Sequence, residues 1–207
     1  MDFRTSNFYS KNAESLYKDY INVKGGISRY FDVIFQNKET VLDIGSGSGR
    51  DILILLEKGH DAYGIEPCNE LRMLAEYRNP VLKGRIFSGG LPNFLNPFNF
   101  KFNTIILSAI LMHIPENQIQ TSIKTVSSLL KPRGKVLISI PKTRPGIGLD
   151  LRDKDGRLFN NISSDFIVSL FNNNLFVLVK NWESMDDMGR EGITWNTMLF
   201  EKAHRSS

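Results

Sequence analysis

The chain has 207 residues, 41% hydrophobic and 11% aromatic, with 26 basic against 22 acidic side chains for a net charge of +4. That length suits one domain with a full core, and so mild and evenly spread a basic excess is no nucleic-acid footprint. The longest apolar run, Thr104 to Ile114, falls short of the ~18 residues of a membrane span, and the single cysteine, Cys68, permits neither an internal disulfide nor a cysteine zinc site.

The opening residues lack the apolar stretch of a secretory signal, so with one cysteine a reducing, cytoplasmic setting is expected. Residues Ala13 to Phe35 carry aromatics at 17, 20, 30 and 31 and are broken by Gly25-Gly26, which predicts two helices with a hinge. Residues 1–36 are expected to form a helical cap and 37–207 the core of a single domain.

The apolar run Val41 to Ile44 holds Asp43 and opens into Gly45-Ser46-Gly47-Ser48-Gly49. Ile52, Leu53, Leu55 and Leu56 follow at helical spacing, so the unit reads strand, glycine-rich loop, helix. In an open α/β sheet such a loop lies at the carboxyl end of a strand, where ligands bind. The dinucleotide fingerprint Gly-x-Gly-x-x-Gly fails because Arg50 occupies the sixth position, and no Gly-Lys-Ser or Gly-Lys-Thr marks a phosphate loop.

A second strand, Ala62 to Ile65, ends on Glu66, a carboxylate that can accept both hydroxyls of a ribose; the same acid before Pro67 could instead cap the helix Asn69 to Arg78. His60 in the preceding turn reads as structural. A third strand near Arg85 to Ser88 leads to Gly89-Gly90-Leu91, a fourth spans Thr104 to Ser108, and His113 follows it. That position and an ordinary pKa near neutrality make His113 the candidate general base.

The helix Glu116 to Leu130 is stopped by Pro132 and Gly134, and a fifth strand covers Val136 to Ile140. A loop of about 141–162 follows, with mixed charges from Lys142 to Arg157 that read as a largely solvated segment. Ser163 or Ser164 caps the next helix, Asn172-Asn173-Asn174 offers a left-handed residue at its end, and strands Phe176 to Trp182 and Thr194 to Lys202 complete the sheet. His204 falls in the terminal tail.

In order, Asp43-Ile44-Gly45-Ser46-Gly47-Ser48-Gly49, Glu66, Phe102 through Pro115 and Leu129 through Ile140 resemble the motifs of class I S-adenosylmethionine-dependent methyltransferases over roughly residues 30 to 140. The resemblance implies a Rossmann-like three-layer sandwich whose mostly parallel seven-stranded sheet ends in an antiparallel strand. It also implies S-adenosyl-L-methionine as cofactor and S-adenosyl-L-homocysteine as product. Asp43, Gly45, Ser46, Gly47 and Gly49 would hold the amino-acid end, Glu66 the ribose, and Ser108 the ammonium through its carbonyl. The family's acid for the adenine amino group is replaced by Gly90, leaving Pro67, Gly90 and Leu91 as the adenine contacts.

Pro67-Cys68 resembles the pair of the pyrimidine-carbon methylating enzymes, but it follows the second strand rather than the fourth. The Asn-Pro-Pro-Tyr turn of amino-methylating nucleic-acid enzymes is replaced by Ser108-Ala109-Ile110-Leu111. Both departures make nucleic acid an unlikely partner and favour a small-molecule acceptor over RNA or protein. A catalytically silent cofactor-binding subunit is the alternative of another class, and no metal is expected. Tyr9, Tyr17, Arg144 and Arg152 are the acceptor-binding candidates, the arginines because a guanidinium can clamp a carboxylate or phosphate. Tyr20, Trp182, Arg190 and Trp195 also lie in segments able to cover the pocket.

Overall fold

The computed structural model describes residues 2–203; Met1 and residues 204–207, and with them His204, lie outside the described residues. Seven strands form one sheet: β1 (Thr40–Ile44), β2 (Asp61–Glu66), β3 (Ile86–Ser88), β4 (Phe102–Ser108), β5 (Leu130–Thr143), β6 (Phe176–Met185) and β7 (Thr194–Lys202). The helices are α1 (Phe3–Lys11), α2 (Ala13–Ile21), α3 (Phe31–Ile34), α4 (Arg50–Glu57), α5 (Asn69–Arg78), α6 (Glu116–Leu129) and α7 (Ser164–Asn172).

The strand order is β3-β2-β1-β4-β5-β7-β6. The β1, β2, β3, β4 and β5 neighbours pair in parallel, whereas β7 runs antiparallel to both β5 and β6. The antiparallel strand is thus last in the chain but sits inside the sheet, with β6 at the edge. The order reverses between β1 and β4, and crossovers that depart to opposite sides leave a crevice at the carboxyl ends of those two strands.

Strand alternation sorts the core into two layers. Ile105 and Leu107 of β4 face a layer with Ile119, Ile123 and Val126 of α6 and Phe171 of α7, while Ile106 faces the opposite layer with Ile52 and Leu55 of α4, Leu71 of α5 and Leu16 of α2. All these side chains except Leu16 are essentially inaccessible to water. The N-terminal helices therefore share the core of one sheet face instead of forming a core of their own.

Three expectations shift. A further helix, α1, precedes Ala13; its residues FRTSNFYSK are mostly polar, and its start is set by the Asp2 carboxylate accepting the amides of Arg4 and Thr5. The left-handed residue after α7 is Leu175, with φ of 64°, not an asparagine; Asn173 has φ of −64°. Strand β5 starts at Leu130, earlier than expected, because Leu130 pairs with Phe102 before Arg133, at φ of 58°, turns the chain into the main register. Ser163 is the residue that caps α7, accepting from the Phe166 amide at 3.1 Å.

Candidate active site

The turn after β1 is pulled over the end of β2: the amides of Gly45 and Ser46 both donate to Ile65 O, at 2.7 and 3.2 Å. One residue further, the Gly47 amide donates to Glu66 Oε2 at 2.8 Å, and the Cys68 amide donates to Oε1 at 2.8 Å. Loop and acid are thus one hydrogen-bonded unit. Gly47 has φ of +54°, and a Cβ there would meet nothing nearer than the Tyr20 ring at 3.5 Å, so the position opens toward a cavity.

That cavity, of about 240 Å³, lies at the carboxyl ends of β1 and β4 and is lined by Asp43, Gly45, Ser46, Gly47, Glu66, Pro67, Gly90, Leu91 and Ser108. Nine of the ten expected cofactor residues are therefore together. Gly49 is not among them. It has φ of +76° before α4, and a Cβ on it would come within 2.6 Å of Leu82, so this glycine serves close packing of the helix on the α5 side.

Of the three buried acids at this end, Asp43 alone is left with an unpaired oxygen. Asp43 is buried with Oδ1 unpaired, as is Ser46 Oγ. Burial, and then the charge of Asp51, hold the Asp43 carboxyl well above the usual range. Asp51 itself is bound by Arg50 Nε and Nη2 at 3.0 and 2.7 Å. Burial lifts Glu66 to about 7, opposed by its two amide donors. An unpaired buried acceptor costs about 1 to 3 kcal/mol, which a cationic ammonium and a ribose diol would relieve, so these residues fit S-adenosylmethionine.

At the end expected to take the adenine, a Cβ on Gly90 would sit 3.3 Å from Pro67 Cβ, and Pro67, Leu71 and Leu91 give the cavity an apolar lining. After β4 the chain turns at Ala109, a non-glycine with φ of 56° whose amide donates to Ser139 O and Oγ, each at 3.1 Å. A left-handed non-glycine costs about 1 to 2 kcal/mol. Here it re-aims the chain so that Ser108, Ala109 and Ile110 all line the cavity.

The far end is closed by α1, α2, the loop after β5 and the turn between β6 and β7. Tyr9, Tyr20, His113, Arg144, Arg157, Phe159, Asp186, Arg190 and Trp195 line it. His113 Nδ1 donates to Leu158 O at 2.6 Å, which leaves Nε2 to accept from the Tyr9 hydroxyl at 3.2 Å. Burial pushes the imidazole down to about 4, and the nearby Arg157 and Arg144 charges act in the same direction despite the Leu158 bond. With Nδ1 on Leu158 O and Nε2 on the Tyr9 hydroxyl, both nitrogens of the buried ring are engaged, an arrangement that does not favour the general-base role expected of His113.

Two acceptor candidates fall elsewhere. Tyr17 is buried against α5, its hydroxyl accepting from Asn79 Nδ2 at 2.9 Å. Arg152 pairs with Asp2 at 3.0 Å and donates to Gly156 O at 2.7 Å, tying the start of α1 to the loop after β5. Most of that loop from Lys142 to Arg157 is exposed, as a solvated segment should be, but the Arg144, Asp153 and Arg157 side chains turn inward and keep only 14, 6 and 13% of their surface. Arg157 was missed although Asp153 four residues before it signals a local pair. His60 is structural as expected, with Nδ1 accepting from the Glu39 amide at 3.2 Å and its ring on Phe35.

Among the described residues no group of histidine, cysteine or acidic side chains is placed to hold a metal ion, and no helix is long and apolar enough to cross a membrane.

A family model described as a methyltransferase domain matches residues 18–206. Proteins of Bacillus cereus and Bacillus anthracis, each described as an uncharacterized methyltransferase, are 30% identical over 112 residues, 52% of this chain and 50% of theirs. The chain thus spans about half the length of the curated relatives it matches. Among solved structures, 1,6-didemethyltoxoflavin-N1-methyltransferase of Burkholderia thailandensis, with 1,6-didemethyltoxoflavin and S-adenosylhomocysteine bound, superposes with a TM-score of 0.70 at 20% identity, covering 96% of this chain and 88% of that one. Magnesium protoporphyrin IX methyltransferase of Synechocystis, with S-adenosylmethionine bound, gives 0.69 at 14% identity over 98% of each chain. At such identities the likeness is one of fold.

Proposed function

Because the chain belongs to the methyltransferase-domain family, we propose that it is an S-adenosylmethionine-dependent methyltransferase acting on a small molecule. The carrying observation is the buried, unpaired Asp43 Oδ1 beside the Gly47–Glu66 unit. Bound there, the cofactor supplies a sulfonium methyl group activated for in-line displacement. Asp43 takes the ammonium, Glu66 the ribose hydroxyls, the Gly45 to Gly47 backbone the amino-acid portion, Ser108 the ammonium through its carbonyl, and Pro67, Gly90 and Leu91 the adenine.

The chain's own contribution to rate is placement, holding the acceptor in a dry cleft in line with the methyl carbon. A small acceptor is favoured because the mouth is roofed by α1 and α2 and because its arginines are largely paired with acids instead of lining an open groove. The toxoflavin enzyme, whose structure holds a small heterocyclic molecule, is consistent with that reading. We take the chain as one methyltransferase domain, with residues 1–36 as its cap, working in the reducing cytoplasm that a lone buried thiol at Cys68 suits.

Titration calorimetry with S-adenosylhomocysteine tests the cofactor, and a screen of metabolite and RNA pools for S-adenosylhomocysteine release tests the acceptor. No binding at micromolar protein would dismiss the cofactor site, and release driven by RNA alone would dismiss the small molecule.

A further inference from the structure

The cavity end remote from the glycine loop is built on guanidinium groups. Arg144, Arg157 and Arg190 line it, and the acids paired with them are Asp153 and Asp186; Asp187, which also lines the cavity, is neutralised by Arg29 and accepts the Gly26 amide. Asp186 is saturated: it accepts Arg190 Nε and Nη2 at 3.0 and 2.6 Å, Trp195 Nε1 at 2.9 Å and the Arg190 amide at 3.0 Å. Asp153 is saturated too, with Arg157 Nε and Nη2 at 2.8 and 2.6 Å on Oδ2, and the Asp155 and Arg157 amides at 3.1 and 2.9 Å on Oδ1.

Arg144 is left over. Its Nη2 is 3.6 Å from Asp153 Oδ2, beyond hydrogen-bond distance, and its Nε is buried without a partner. The group is nonetheless fixed, with Cζ 3.9 Å from the Phe159 ring centroid. Burial and the adjacent Arg157 and Arg190 charges lower its pKa, the mark of a cation held without adequate compensation. Three guanidiniums against two carboxylates leave a surplus of one positive charge beside an apolar wall of Phe159, Met112 and Trp195.

Taking the methyltransferase reading as given, we propose that the acceptor is a small molecule bearing one carboxylate, which Arg144 binds through its guanidinium where it lines the cavity, while the apolar body lies along Phe159. A planar guanidinium fork matches a carboxylate, and such charge-assisted bonds are about twice as strong as neutral ones. A phosphate dianion would overshoot the single surplus charge and leave net negative charge in a desolvated site, which disfavours it.

The test uses protein saturated with S-adenosylhomocysteine, whose binding is measured first; failure there would strike the methyltransferase reading and not the clamp. Ligand-observed NMR then compares benzoate and phenylacetate with their amides and with phenyl phosphate. The carboxylates should bind about 10-fold more tightly than the amides. Arg144→Gln should erase that preference at unchanged S-adenosylhomocysteine affinity, and Arg144→Lys, which keeps the charge but not the fork, should retain only part of it. Equal binding of acid and amide, no binding of any probe, or a preference surviving in Arg144→Gln would overturn the clamp; a preference for phenyl phosphate would overturn the carboxylate.

Discussion

The Tyr9 hydroxyl and His113 Nε2, 104 residues apart in the chain, meet at 3.2 Å at the far end of the cavity. With Nδ1 held by Leu158 O at 2.6 Å, the imidazole acts as an acceptor that aims the Tyr9 phenol. Burial favours the neutral ring that this pair of bonds requires.

His113 should show itself in acid stability. Its folded pKa, about 4 through burial, lies below the unfolded value near 6.5, so the unfolded chain binds more protons between those limits. Stability is complete above about pH 6.5 and falls as pH drops toward 4, by about 3 kcal/mol for this group. Urea unfolding of His113→Gln should lack that slope. Parallel stability curves for wild type and variant would contradict a buried neutral imidazole.

Glu66 has the opposite sign. Its folded pKa of about 7 exceeds the unfolded value, so its contribution is full below about pH 4.5 and is lost as pH rises through 7. A cationic cofactor should favour the carboxylate and expel a proton on binding between pH 6 and 7. Calorimetric enthalpies in phosphate and Tris should therefore differ, and the difference should vanish in Glu66→Gln. Glu66→Ala should weaken cofactor binding by about 1 to 3 kcal/mol; unchanged affinity removes Glu66 from the site.

Asp43→Asn should trade function for stability. Removing a buried carboxyl that burial and Asp51 already disfavour in its charged form should leave the melting temperature at pH 8 equal to or above wild type, with cofactor affinity reduced about 10-fold or more. A variant that is both less stable and equally avid would show that Asp43 is a packing residue.

The two loop glycines should separate binding from folding. Gly47→Val places a branched side chain at φ of +54° facing the cavity and should abolish cofactor binding in a protein that still folds. Gly49→Val drives Cβ to 2.6 Å from Leu82 and should mainly destabilise, by several kcal/mol. The reverse pattern in thermal melts and calorimetry would undo the division of labour between them.

The half of the candidate site proposed for the cofactor was legible as a cluster because it is local: strand, glycine turn and acid each sit at the end of an apolar run, as Ile44 to Gly47 and Ile65 to Glu66 illustrate. The acceptor half is assembled over long distances. Arg157 is buried by Phe8, with Cζ 4.4 Å from the ring centroid, as well as by Asp153, and no local pattern announces Phe8. For the same reason α1 went unseen, since Thr5 bonds the Leu158 amide at 2.9 Å and Asp2 bonds Arg152, contacts that only the folded loop supplies. Arg152, chosen by its neighbourhood, proved to be a strut.

Strand β7 joins two strands that have no bonds to each other, since β5 pairs with it on one side and β6 on the other. The β6–β7 pair is a local hairpin, and it joins the rest of the sheet only through the long-range pairing of β7 with β5. A chain cut before Thr194 would leave β5 as an open edge with Val136, Ile138 and Ile140 next to unpaired amides, the kind of template that recruits other chains. Loss of this one strand is therefore expected to promote aggregation through the bared β5 edge.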